Sequence, residues 1–301
     1  MEELAMGKLL KLVFFRLRKE KAPMIEAFIA IGYAFLMAVI YFVIYQAALS
    51  TGSTAEDVGI SLRSMILQTI TPGYNVPAVL IVAGVASFFY TEINYGTLRN
   101  QIVSGYSRKE IYTAYWIGMQ IYMLVMLTVY AASIALLSSI LLPNGFTNEN
   151  VGPFFLSLLL GIVYEMAITS LAFFLIVLIK FPAWPIVIVV MASVASMIVS
   201  LVVVANNLMV QKPNMNVFYI LPWMPDIQAA ILQSGDLSVV ATSSGLSTVG
   251  AITSKTIEDS IGAAHVDYTA YSTFAILTES ILITIGSFLG GFFYFNHHDL
   301  K

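Results

Sequence analysis

Long apolar runs separated by short polar breaks organise this chain. A helix needs about 20 residues to cross a bilayer core. The runs that meet this length fall near Ala27–Leu49, Tyr74–Tyr90, Tyr112–Leu142, Pro153–Ile179, Trp184–Asn206 and Ser272–Phe295. The second is the shortest, and it has room to begin near Met65 with Pro72 and Pro77 bending it. Residues 1–21 carry a different pattern. Met6, Leu9, Leu10, Val13 and Leu17 recur on one helical stripe, and Lys8, Lys11, Arg18 and Lys19 fall on the other side. That pattern predicts an amphipathic helix lying in the headgroup layer. Phe15 stands among the charges, where it either tucks into lipid or contacts a partner.

The polar break from Glu92 to Tyr115 has the most internal structure. Gly96 ends the helix before it. Thr97 to Ser104 is long enough for about two helical turns, with Leu98 and Ile102 four apart on one face. Gly105 suits the left-handed residue that closes such a helix. Ser107 and Glu110 stand at capping-box spacing and predict a new helix start. The break therefore reads as span, short surface helix, span. The break before Trp184 is much tighter, with Pro182 and Pro185 stopping one helix and starting the next.

Composition agrees with a membrane setting. Of 301 residues, 59% are hydrophobic and only 10% charged, against about 25% charged in a soluble domain. With a cytoplasmic N-terminus, Lys8, Lys11, Arg16, Arg18, Lys19, Lys21, Arg99, Arg108, Lys109, Lys180 and Lys301 fall inside, and Arg63, Lys212 and Lys255 outside. That bias, 11 against 3, is the direction the positive-inside rule requires. Both termini and the Glu92–Tyr115 break are then expected on the cytoplasmic side of the plasma membrane. The absence of cysteine excludes disulfides and thiolate chemistry. No basic surface domain remains for nucleic acid once the spans are removed. His297-His298-Asp299 reads as a solvated tail rather than a metal site. No P-loop pattern occurs, so no ATP hydrolysis is expected of this chain.

Glu92, then Gly96-Thr97-Leu98-Arg99, then Gly105-Tyr106-Ser107-Arg108, resembles the first cytoplasmic loop of type-2 ABC exporter permeases. The number and order of spans extend that resemblance loosely over the chain. It implies a single transmembrane permease domain over 1–301, with an amphipathic helix at 1–21, a coupling loop at 91–111 and an extracellular loop at 207–271. It implies an all-α fold of six transmembrane helices with a cytoplasmic coupling helix and a re-entrant outer segment between the fifth and sixth spans. Val217–Leu221 and Ile227–Leu232, either side of Pro222-Trp223-Met224-Pro225-Asp226, suit that segment. The implied partners are separate ABC ATPase subunits, which would bring ATP and Mg, and a second permease subunit, identical or sister. This chain itself would hold no cofactor. Glu92, Gly96, Thr97, Leu98, Arg99, Ile102 and Arg108, with Phe15, are then the expected ATPase-coupling residues. The implied cargo is hydrophobic or amphipathic: membrane-active peptides, antibiotics or lipids.

Two acids are expected within spans, Glu165 and Glu279. An ionised carboxylate at mid-membrane costs about 2.5–3.5 kcal/mol. Glu165 shares a stripe with Ser157, Gly161 and Thr169 at four-residue steps, so it should face protein or a cavity. It is expected to be protonated or hydrogen-bonded to a neighbouring helix, either as a packing contact or as part of a cargo cavity with Gly161, Thr169 and Glu279. Two rival readings remain open. An ion-gradient-driven transporter would use Glu165 and Glu279; a sensor or scaffold would transport nothing.

Overall fold

The computed structural model describes residues 2–50, 65–67, 76–141, 151–209, 228 and 269–297. Among them every element is helical: α1 (Glu2–Lys19), α2 (Lys21–Ser50), α3 (Val76–Asn94), α4 (Thr97–Val103), α5 (Arg108–Leu141), α6 (Val151–Ile179), α7 (Ala183–Met209) and α8 (Thr269–His297). Five helices, α2, α3, α5, α6 and α8, have stretches long and apolar enough to cross a membrane. Within α7 the described apolar stretch runs Ala183–Ala192. The re-entrant segment and nearly all of the outer loop lie outside the described residues.

Side-chain contacts set the directions of the helices. Glu26 and Tyr33 of α2 meet Tyr122 and Tyr130 of α5, so these two helices run parallel. Along α5 from Tyr112 to Trp116, the partners run backwards, from Phe173 to Ser170 on α6 and from Phe292 to Phe288 on α8. Helix α3 also opposes α5, because Tyr115 meets Phe89 while Tyr122 reaches Gly84. Helices α3, α6 and α8 thus run one way and α2 and α5 the other. Successive crossings of a bilayer have this alternation.

A core of aromatic rings joins the same end of four helices. Tyr112 lies 5.3 Å from Phe173 and 5.6 Å from Phe288, and Phe89 lies 4.7 Å from Phe173. Offset and edge-on ring pairs of this kind add stability beyond their buried area. The outward faces are apolar: Phe28, Phe35, Val43, Leu159 and Phe293 are all exposed. That is the expected surface of a helix bundle whose solvent is lipid.

Three sequence expectations are corrected. The stripe on α1 does not go to lipid, because Leu9, Val13 and Leu17 are buried within the chain. Val13 fits against Gly118 of α5 so closely that a β-carbon there would lie 2.6 Å from its Cγ1. Second, α2 begins at Lys21 rather than Ala27. The apolar run understated it by more than a turn, and Glu26 falls inside the helix. Third, α3 continues past Tyr90 to Asn94, which carries Glu92 into the helix and out of solvent.

Candidate functional site

The site lies where α1, α3, α4 and α5 converge, and Glu92 is its centre. Gly96 takes a left-handed conformation, φ 67°, and turns the chain from α3 into α4. Without a β-carbon this conformation carries no steric penalty. Helix α4 ends on Gly105, φ 93°. There the Tyr106 N–H donates to the Gln101 carbonyl at 3.2 Å and the Gly105 N–H to the Ile102 carbonyl at 3.0 Å. This is the double closure of a Schellman end. Glu110 Oε2 then accepts from both the Ser107 N–H and the Ser107 hydroxyl at 2.8 Å, starting α5 as its capping spacing predicts.

Glu92 is 3% exposed, yet one oxygen of its carboxylate takes three donors. Arg16 of α1 forms an ion pair with Oε2. Thr97 donates to the same carboxylate and, at 2.8 Å, to the Glu92 carbonyl. Tyr115 of α5 donates its hydroxyl to Oε2 at 2.7 Å and accepts from Gln101 Nε2 of α4 at 2.9 Å. One buried carboxylate thereby holds four helices in register. A buried charge is tolerated only when paired and hydrogen-bonded in this way. Arg16, Gln101 and Tyr115 were not among the residues singled out from sequence.

Glu20, between α1 and α2, lies near this centre. Burial and the negative charge of Glu92 raise its carboxyl above the usual value of 4.5, against the lowering influence of Arg16. The folded chain therefore holds that proton more tightly than the unfolded one. The resulting advantage exists at low pH and is lost as pH rises through the raised value. Glu20→Gln is expected to raise the melting temperature at neutral pH and to give no gain below 4.5, measured by thermal melts across pH.

The remaining coupling candidates divide by exposure. Leu98 and Ile102 do share a face, but it turns inward: Leu98 is 1% exposed and Ile102 packs against the core. Leu98 is therefore unavailable as a docking contact. The outward side of α4 presents Arg99, Asn100 and Val103, next to Tyr95; Val103 is 86% exposed and Tyr95 78%. Arg108 Nη1 reaches the Asn296 carbonyl at 3.5 Å, tying the start of α5 to the end of α8. Phe15 is exposed, with the Lys19 ammonium 5.7 Å from its ring.

No family model matches the chain, and no curated protein or solved structure shows significant similarity to it. The resemblance described above thus rests on the residues of the Glu92–Arg108 loop and on the order of the helices.

Within the spans the acids behave differently from one another. Glu279 accepts from Gln228 Nε2 at 2.6 Å. Glu165, Gly161 and Thr169 all face the interior, as their stripe predicts, and neither Glu165 nor Thr169 is hydrogen-bonded to Glu279. Of the two states expected of Glu165, a hydrogen bond to a neighbouring helix is not found among the described residues, where neither carboxylate oxygen has a partner. A third intramembrane acid, Glu26, was missed. It is buried in α2, accepts from the Tyr122 hydroxyl and rests on Gly84 of α3.

Proposed function

We propose that this chain is the transmembrane permease subunit of an ATP-driven ABC exporter, working with separate ATPase subunits and a second permease subunit. The observation that carries this reading is the build of the α3–α4–α5 turn. A short helix between two long apolar helices is locked from beneath by Glu92 and presents an arginine flanked by exposed apolar side chains. Such a surface suits docking, because the exposed Tyr95, Arg99 and Val103 offer a partner apolar area and charge.

A force on α4 would be delivered inward. Gln101 holds Tyr115, Tyr115 packs on Phe89 at 5.6 Å, and Phe89 packs on Phe173. Closure of an ATPase pair on nucleotide would push α4 and, through these contacts, change how α3, α5 and α6 pack. The spans present apolar and small polar side chains with no cationic pathway, which favours an amphipathic cargo such as a membrane-active peptide, antibiotic or lipid. A six-span layout, with α7 as the fifth span and both termini cytoplasmic, completes the proposal.

Sidedness tests it first. Single cysteines introduced into this cysteine-free chain at Ser107, Asn148 and Ser243 are expected to label from the inside, the outside and the outside; the last two positions lie outside the described residues. Labelling of the Ser107 cysteine by an impermeant reagent in intact cells would place α4 on the wrong side for an ATPase and end the proposal. A second reading, an ion-gradient-driven transporter, is favoured by one observation: the unpartnered carboxyl of Glu165.

A further inference from the structure

Glu165 is the one acid in the described spans with neither a hydrogen bond nor an ion pair among the described residues. Its residue is 0% exposed, and both carboxylate oxygens are buried without a hydrogen bond. One turn on, and on the same face, the Thr169 hydroxyl is also fully buried and unpartnered. Three orphaned oxygens therefore converge on one face of α6.

Helix α3 does not supply what is missing. Phe89 against Phe173 fixes the register of α3 on α6. Eight residues back from each ring lie Ile81 and Glu165. The flanking buried residues of α3, Ala78, Val82 and Val85, are all apolar, so no change of rotamer there offers a donor.

Nor is there a countercharge in the helices packed on α6. Helix α3 carries Tyr90 and Glu92, about 13 Å and about 16 Å along the axis from the level of Glu165. Above Glu110, α5 carries only tyrosines, of which Tyr115 and Tyr122 are already bonded to Glu92 and Glu26. Helix α6 adds Tyr164, and α7 has no titratable residue. Helix α8 has Tyr271, Glu279 held by Gln228, Tyr294, and His297 in its last turn; its Ser280 hydroxyl, buried and itself unpartnered, adds a neutral oxygen near the level of Glu165 that Phe174 against Gly290 sets.

Buried oxygens of this kind are satisfied in folded proteins, and those left open among the described residues call for a ligand. We infer that Glu165 and Thr169 form a binding site for one monovalent cation, H⁺ or Na⁺, inside the bundle. Both are hard, small and singly charged. Either cancels the carboxylate charge that the bilayer core penalises, and Na⁺ is held by oxygen donors of the type present here. The inference concerns this chain alone and stands whether or not an ATPase binds it.

The test uses the purified full chain in lipid nanodiscs, with Na⁺ itself as the probe and choline as its replacement. Infrared difference spectra report the protonated-carboxyl stretch, and thermal melts report Na⁺ binding. If the occupant is H⁺, a protonated-carboxyl band is present at neutral pH in both salts and is lost in Glu165→Gln. If it is Na⁺, the melting temperature rises with Na⁺ in the wild type, and Glu165→Gln abolishes the response. Thr169→Val keeps the shape of the helix and is expected to move the band, or to weaken the Na⁺ response about tenfold. Should Glu165→Gln fail to fold, the same two readouts on wild type and Thr169→Val decide the matter. A wild-type chain with no such band in either salt and no Na⁺-dependent melting carries an ionised, cation-free carboxylate, and the inference is then wrong.

Discussion

Replacing Arg16 by alanine is expected to destabilise the chain by about 3 kcal/mol and to loosen α1 from the bundle. Arg16 is the cation paired with the buried Glu92 carboxylate. Removing one member of a buried pair leaves the other charge stranded, at a cost of about 3–5 kcal/mol. The lower end applies because Arg16 is 28% exposed, and because Thr97 and Tyr115 still donate to Glu92. The double variant Arg16→Met with Glu92→Gln removes both charges and should recover much of the loss. Thermal melts of the single and double variants, with proteolysis at residues 1–21 as a readout of α1, check this. A single variant as stable as wild type would mean that the pair does not clamp the helices.

Leu98→Asp is expected to break the loop rather than to block a partner. The residue is among the largest fully buried side chains in the chain and packs where α4 meets α5. A carboxylate there loses the burial of leucine, about 1.5–3 kcal/mol, and adds the desolvation of a charge with no cation beside it. The summed loss of about 4 kcal/mol or more should appear as poor yield and early melting of the purified chain. Val103→Asp, on the exposed side of the same helix, should melt like wild type. Equal stability of the two variants would contradict the inward placement of Leu98.

Much of this architecture was legible in the sequence because it rests on short-range rules. The glycines at 96 and 105 and the Ser107–Glu110 cap act through neighbouring residues and appear where the chain predicts them, whereas the apolar runs placed the helices but not their ends. Glu92 was legible as a polar residue at the end of a span, but its partner was not. Arg16 lies 76 positions away, and nothing local separates it from the other basic residues of α1. Its place one position before Leu17, at the edge of the buried stripe, is the one signal available. The direction of the Leu98 face was also beyond reach. Periodicity shows that Leu98 and Ile102 go together; it cannot show whether the apolar face meets the chain's own core or another protein.

Glu26 illustrates a different limit. Its span was placed by hydropathy, which stops at the first charged residue, whereas a helix stops where its hydrogen bonds do. Pro23, which is tolerated in a first turn, marked the earlier start. Whether such an acid is buried depends on Gly84 and Tyr122, which come from two other helices. For Glu165 the sequence placed the stripe correctly and left the partner open, since a missing contact leaves no trace in a sequence.

The measurement that bears most directly on the proposed function is co-purification of the tagged full-length chain from its native membrane, alongside Val103→Asp and Tyr95→Asp. The account predicts that wild type brings down a P-loop ABC ATPase with ATP-hydrolysing activity, and that either variant, equally stable and equally abundant, brings down at least tenfold less. Recovery of the same ATPase in undiminished amount with both variants would contradict docking at α4, and wild-type chain that purifies with no ATPase would contradict the permease reading itself.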